Sequence, residues 1–303
     1  MFVINHNRNG KLKELILKIA ELQLVINPVE QNLSLDYSPC HRKFTSSERE
    51  TLPDDSSLAG KLVLDVVDTP DPPGLNLTRL LCENEIWQLW LNGEGNFVFT
   101  QPKQIPQRWT VIEPEFQFGR TIGDFSGFNQ REVYPLQYID IVIYSNWLAK
   151  FGDMILHASG ITFGGEGYCF IGDSGAGKST LARDLLENPG VRVLGEDQVI
   201  LRRKGSQFMI FGTPWHESTE MCSPEGVPLK KVFFLDRNAA RTITPVGGFD
   251  AVVQIVRTAF YPIYRADAVE RILGRLSDLP GQVKFFSLAY HRGTDVLRTI
   301  VDA

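Results

Sequence analysis

The sequence predicts an α/β protein in two parts, a β-rich N-terminal domain over 1–149 and an α/β domain over 150–303. Three observations predict it. From 61 to 122, short segments rich in β-branched and aromatic residues are separated by Gly, Pro and Asn, the pattern of strands joined by turns. Over 134–152, "YPLQYIDIVIYSNWLAKFG" carries apolar residues at helical spacing. At 168–187, "YCFIGDSGAGKSTLARDLLE" reads as an apolar strand, a glycine-rich turn and an amphipathic helix in direct succession. A chain of 303 residues has room for two modest domains.

In chain order, "KLKELILKIAELQL" (11–24) places Leu12, Leu15, Ile16 and Ile19 on one helical face, so an amphipathic helix is expected there. Residues 25–60 are polar and rich in Ser, Pro and Asp, and read as a long loop. "KLVLDVVD", "EIWQLWLN", "NFVFTQ", "RWTVIE" and "EFQFG" then read as strands of an antiparallel sheet, with "LNGEGNF" as a hairpin turn. The 134–152 helix would start at Pro135 and present Leu136, Ile139, Ile143 and Trp147 on one face. The domain boundary is expected around it. "MILHASGITF" and "GYCFIG" follow as strands joined by a "GGEG" hairpin turn, and "VRVLGEDQVILRRKGSQFMIFG" as three more strands. "VPLKKVFFLDR" (227–237) reads as another core strand.

Composition narrows the setting. Hydrophobic residues make up 43% and charged residues 22%, with a formal net charge of −5. This is the composition of a soluble globular protein, and it argues against nucleic acid as the main partner, which calls for clustered Lys and Arg. No run of eighteen apolar residues occurs, so no membrane span is expected. The N-terminal "FVINHNRNGKLKEL" lacks the apolar core of a signal peptide. Cys40, Cys82, Cys169 and Cys222 form neither a C-x-x-C pair nor a metal-ligand pattern, which suits a reducing cytoplasm. Cys169 lies in an apolar run and reads as a buried thiol.

The chemistry concentrates after residue 150. Gly172, Asp173, Ser174, Gly175, Ala176, Gly177, Lys178 and Ser179 fit G-x-x-x-x-G-K-[ST] at every position, with Thr180 next. Small residues let consecutive backbone N–H groups turn towards phosphate oxygens, and the helix that follows adds the positive end of its dipole. Lys178 would place a charge on the outer phosphates, and the Ser179 hydroxyl would ligate magnesium. ATP with Mg2+ is the expected cofactor pair. About twenty residues further on, Glu196 and Asp197 end a strand. One acid there can serve the metal, and a neighbour can take a proton from an attacking hydroxyl. A solvated turn between two strands is the plain alternative. His157, on the strand before the glycine turn, reads alone as a packed core histidine. His216 in "GTPWHES" reads equally well as a site wall or as an apolar plug.

Taken together, "LHASGI", "GGEGYCFIGDSGAGKSTLARDLL" and "VRVLGEDQVIL" resemble the catalytic domain of the HPr kinase/phosphorylase family, whose nucleotide fold is similar to that of phosphoenolpyruvate carboxykinase. The resemblance spans 150–217. It implies that Asp197 binds magnesium, that Glu196 accepts the proton, and that His157 supports the acid pair. The sequence differs from the family in two places. The family usually has Asp-Asp where this chain has Glu196-Asp197, and "GTPWHESTEMC" stands where a Gly-rich stretch with a Glu is usual. A divergent member is therefore implied, an ATP-dependent kinase acting on a hydroxyl of free serine, a peptide or a small protein, with a homo-oligomer left open. A nucleotide-binding sensor without phosphotransfer and a carboxykinase-like enzyme are the alternatives. Arg237, Arg257 and Arg265 are candidates to steady the transferred phosphate.

Overall fold

The structure, a computed structural model, describes residues 14–29, 35, 38–46, 60–71, 73–103, 107–125, 134–236, 243–290 and 296–303. The chain divides into two compact units, Met1–Ile143 and Tyr144–Ala303. Both are mixed α/β; among the described residues the first is mostly strand and the second has strand and helix in similar amounts. Among the described residues no helix is long and apolar enough to cross a membrane.

The first unit opens with a hairpin where a helix was expected. β1 (Leu15–Ile19) and β2 (Leu22–Pro28) pair antiparallel, with Ile19 opposite Leu22. Ala20 and Glu21 form the two-residue turn, both in the left-handed region at φ 50° and 65°. The helical spacing misled because the apolar run is nearly continuous: Leu15, Ile16, Leu17, Ile19, Leu22, Leu24, Val25 and Ile26 are all buried. Such a run fits any period, and Ala-Glu gives no local hairpin signal. Leu12 lies outside the described residues. The expected loop over 25–60 is interrupted by the end of β2 and by one helical turn, α1 (Pro39–Arg42).

β3 (Lys61–Asp68), β4 (Leu77–Glu83), β5 (Gln88–Asn92), β6 (Phe97–Thr100), β7 (Arg108–Ile112) and β8 (Phe118–Gly123) complete an eight-stranded sheet. Its order is β1-β2-β3-β8-β7-β6-β5-β4. The expected purely antiparallel sheet is mixed instead, because β2–β3 and β3–β8 pair parallel. The long β2–β3 connection supplies the crossover that parallel pairing needs. The β5–β6 hairpin turn is where the sequence put it, with Asn92 Oδ1 accepting from Glu94 N (3.1 Å) and Asn96 N (2.8 Å). "EFQFG" is mostly turn, with Phe116 at φ 56°, and β8 starts at Phe118. The following helix, α2 (Asp140–Ala149), is shorter than expected. Tyr138 sits at φ 72°, which an α-helix does not tolerate, so Pro135 falls in the preceding turns.

The second unit holds β9 (Met154–Phe163), β10 (Glu166–Ile171), α3 (Lys178–Leu186), β11 (Arg192–Gly195), β12 (Gln198–Lys204), β13 (Gln207–Phe211) and β14 (Gly226–Leu235). After these come β15 (Ile243–Pro245), α4 (Gly248–Thr258), β16 (Ala259–Phe260), α5 (Ala266–Leu276), β17 (Lys284–Leu288) and α6 (Val296–Asp302). The strands form one nine-stranded sheet in which β10 also pairs parallel with β14, so the pairings β10–β9–β12–β13–β14 close on themselves. Alternation along β10 sorts the core. Tyr168 and Phe170 join Leu181, Leu185, Val296 and Ile300 on the α3 and α6 side. Cys169 and Ile171 join Ala251, Ile255, Ile272 and Leu276 on the α4 and α5 side. Coverage on both faces explains why these strands read as unbroken apolar runs. Burial pushes the Cys169 thiol up to about 12, as for an inert core residue.

Candidate functional site

The site is built on an interruption in strand pairing. Along one edge of β9, β10 pairs with residues 158–163 and ends with Ile171 opposite Ala158, while β16 pairs with Ile155 and Leu156. Along the other edge, β11 pairs with 160–162 and β12 with 154–157. His157 to Ser159 therefore lie where partner strands stop or hand over. The turn 172–177 leaves β10 at that point, and Glu196-Asp197 joins β11 to β12 across from it. Ala158 N donates to Asp197 O at 3.0 Å, and the Ser159 hydroxyl donates to Glu196 O. The acidic pair is thus held by β9 itself.

The glycines of the turn have distinct tasks. A Cβ at Gly172 would lie 2.9 Å from Ala176 Cβ and 3.1 Å from Leu235 Cβ, so no side chain fits there. Gly177, at φ 100°, caps α3 with no side-chain hydrogen bond, a conformation that favours glycine. The first N–H groups of α3 thus keep no side-chain cap from that residue.

Lys178 ties the two edges together. Its ammonium donates to Gly172 O (2.7 Å), Asp173 O (3.3 Å) and His157 Nε2 (3.2 Å), and the residue is only 6% exposed. Burial lowers its pKa, and the charges of Asp197 and Asp173 oppose that shift. An ammonium has no lone pair to offer, so Nε2 accepts and the ring proton sits on Nδ1. Nδ1 faces Asp197 Oδ1 at 3.1 Å. Lys178, His157 and Asp197 form one chain of polar contacts, with Asp197 half-exposed at its open end.

Glu196 points elsewhere. Its Oε2 meets Arg183 Nη2 at 3.3 Å, and its side chain is mostly buried. Arg183 is four residues from Ser179 on α3, so both occupy one helical face. The structure therefore brings Lys178, His157 and Asp197 into one cluster and turns Glu196 to the Ser179–Arg183 face. His216 lies against the backbone that carries this pair: a Cβ at Gly195 would be 2.7 Å from His216 Nε2. Thr213, fully buried, donates to Gln198 O (2.7 Å) and contacts His216 Nε2 (3.0 Å). Thr213 and His216 thus brace Gly195 and Gln198, on either side of the acids. Trp215 packs edge-on to Tyr144, with centroids 5.7 Å apart.

Of the three arginines proposed from the sequence, Arg265 pairs with Asp267 at 3.0 Å, Arg257 closes α4, and Arg237 lies outside the described residues. Sequence reasoning missed Arg183 and Thr213. The i, i+4 spacing from Ser179 was a signal for the first, whereas Thr213 acts through backbone contacts that leave none.

No family model matches the chain, and none of the curated proteins matches it. Among solved structures, the Hpr(Ser) kinase/phosphatase from Coxiella burnetii is a distant neighbour, with a TM-score of 0.31 at 12% identity over 49% of this chain and 93% of that one. A likeness of this degree carries no activity across.

Proposed function

We propose that the second unit is an ATP- and magnesium-dependent kinase that phosphorylates a serine-type hydroxyl. The observation that carries this reading is the Lys178–His157–Asp197 chain, which joins a glycine-rich turn to a half-exposed carboxylate. A buried ammonium at the foot of such a turn suits the outer phosphates of a nucleotide. Among the described residues no group of three or more His, Cys, Asp or Glu is placed to hold a metal ion. Magnesium here would accordingly take most of its ligands from phosphate and water, its usual habit with nucleotides.

The acceptor oxygen bonds to the terminal phosphorus of ATP. The bond from that phosphorus to its bridging oxygen breaks, with the electron pair leaving on ADP, and the hydroxyl proton passes to Asp197. His157, donating from Nδ1, orients that carboxylate. Lys178 turns from its carbonyl partners to the phosphates. Ser179 and Glu196, on the α3 side, would help to hold magnesium, which would supply charge neutralisation on the phosphate oxygens. These roles exchange the two acids relative to the family resemblance, because Asp197 and not Glu196 adjoins Lys178 and His157. A second reading, a nucleotide sensor that transfers nothing, is favoured by the Arg183–Glu196 pair, which already gives one acid of the site a cation.

Transfer from labelled ATP with magnesium to free serine, serine peptides and HPr tests the proposal. Label on one of these acceptors, lost in a folded Asp197→Asn variant, is the expected result. Label on none of them, or undiminished label in the variant, overturns it.

A further inference from the structure

The segment 259–265 displays two apolar side chains, the first of them against the candidate site, while its neighbours are tied down. Phe260 is 43% exposed and Ile263 73%. Between and after them, Tyr261 packs against the core of the unit and Tyr264 Oη meets Asn146 Nδ2 at 2.7 Å. Two local backbone bonds, Ile263 N to Tyr261 O and Arg265 N to Pro262 O, both 2.9 Å, fix the turn. An apolar ring held rigidly in water carries a standing cost that a ligand can relieve.

Its position says which ligand. Phe260 pairs with Ile155, two residues before His157 on β9, so all three side chains stand on one face of the sheet. The Phe260 and His157 rings meet edge-to-face with centroids 6.3 Å apart. His157 in turn contacts Lys178 and Asp197, the phosphate-holding lysine and the proton acceptor of the proposed reaction. A nucleotide base lies beyond its ribose, at the far end of the triphosphate from the transferred group. Phe260 is therefore at the acceptor's end, not the base's.

We propose that Phe260, with Ile263, is the apolar seat of the acceptor, and that the acceptor is a peptide or protein segment bearing an apolar residue next to the serine. This rests on the kinase reading above. Free serine suits the seat poorly, because its ammonium and carboxylate flank the hydroxyl and would lose water against the ring. A peptide replaces them with neutral amides and an apolar neighbour.

The test uses heptapeptides with one central serine flanked by leucine or by glycine, with free serine alongside. Initial rates of transfer are measured, together with fluorescence anisotropy of labelled peptide binding in the presence of a non-hydrolysable ATP analogue. The leucine peptide should show a KM about tenfold below the glycine peptide. Phe260→Ala and Ile263→Asp should erase that difference and weaken binding by a similar factor, while Phe260→Leu keeps part of it. Thermal melts confirm that the variants fold. Transfer that ignores the flanking residue, with peptide binding intact in both variants, overturns the seat and leaves the kinase standing. A rise confined to the KM for ATP reassigns the ring to the nucleotide and also overturns it. Transfer to no acceptor by the wild type removes the kinase reading and the seat with it.

Discussion

Gly195→Ala tests whether the bracing of the acidic turn matters. Gly195 is not in the left-handed region, so its backbone tolerates alanine and only space is at issue. The added methyl would lie 2.7 Å from His216 Nε2 and closer still to the Gln198 carbonyl oxygen. Ordinary contact begins near ~3.4 Å, so something must move by about an ångström. The carbonyl cannot yield freely, because Gln198 opens β12 and sits opposite His157. Overpacking of this kind costs about 1–3 kcal/mol. In a unit of the size of Tyr144–Ala303 each kcal/mol lowers the Tm by about 2–4 °C, so a fall of roughly 2–12 °C is expected. Asp197, two residues on, would shift with the turn, and misplacement approaching an ångström costs up to ~100-fold in rate. Nucleotide affinity should hold, since the 172–177 turn is on the opposite edge of β9. Thermal melts, single-turnover transfer and nucleotide titration together check this. An unshifted melt with an undiminished rate would refute the claim that His216 and the Gln198 carbonyl fix the acids.

Other consequences follow from the same geometry. Asp197→Asn should slow transfer by about 10²–10⁴-fold yet cost under ~1 kcal/mol of stability, because its partner contact is half-exposed; Glu196→Gln should mainly raise the magnesium concentration needed, and the reverse pattern in a metal titration would restore Glu196 as proton acceptor. Lys178→Met should weaken nucleotide binding by about 10- to 100-fold without lowering the melt, since burial already disfavours the charged form; isothermal titration and calorimetry read the two effects. Asp153, 1% exposed, holds Arg202 at 2.7 Å and Arg275 at 3.5 Å, and Asp153→Asn should cost about 3 kcal/mol by leaving the mostly buried Arg202 uncompensated. Burial raises the Asp153 pKa above 3.8 despite those arginines, so the folded state binds the proton more tightly and this group's contribution falls as pH rises from 3.8 through the raised value. Urea melts of both proteins across that range should show the slope in the wild type and lose it in the variant.

The second unit was legible as far as β14, because its elements there announce themselves locally, whereas β15–β17 and α4–α6 were not placed from the sequence. A fully buried strand reads as an apolar run, and glycine, lysine and serine at fixed offsets name a turn and a helix start, so β9, β10, α3 and β11–β14 fell where the sequence placed them. The first unit was less so. The run from Leu15 to Ile26 is apolar on both faces, and nothing local separates a hairpin from a helix when the turn is Ala-Glu. Parallel pairing of β2, β3 and β8 depends on a long connection, and no short window of sequence contains it. α2 shortened for a similar reason, since a left-handed Tyr138 carries no composition signal.

The glycine-rich motif named Lys178, and only the family resemblance named His157; neither said which acid joins them in the candidate cluster, and the reason is geometric. Glu196 and Asp197 lie in the bend between β11 and β12, outside both strands, so no strand alternation assigns their side chains. Their backbone is fixed by β9, where the Ser159 hydroxyl and Ala158 N donate to the two carbonyls. Gln198 opposite His157 sets the register of β12, and Asp197 comes back to His157 while Glu196 turns to Arg183. The extra methylene of Glu196, a departure from the family pattern when read as the base, becomes useful on the other side, where the carboxylate must span to α3. The choice of glutamate then follows from the distance its carboxylate covers, and aspartate stays where the reach is short and the position is fixed by a strand.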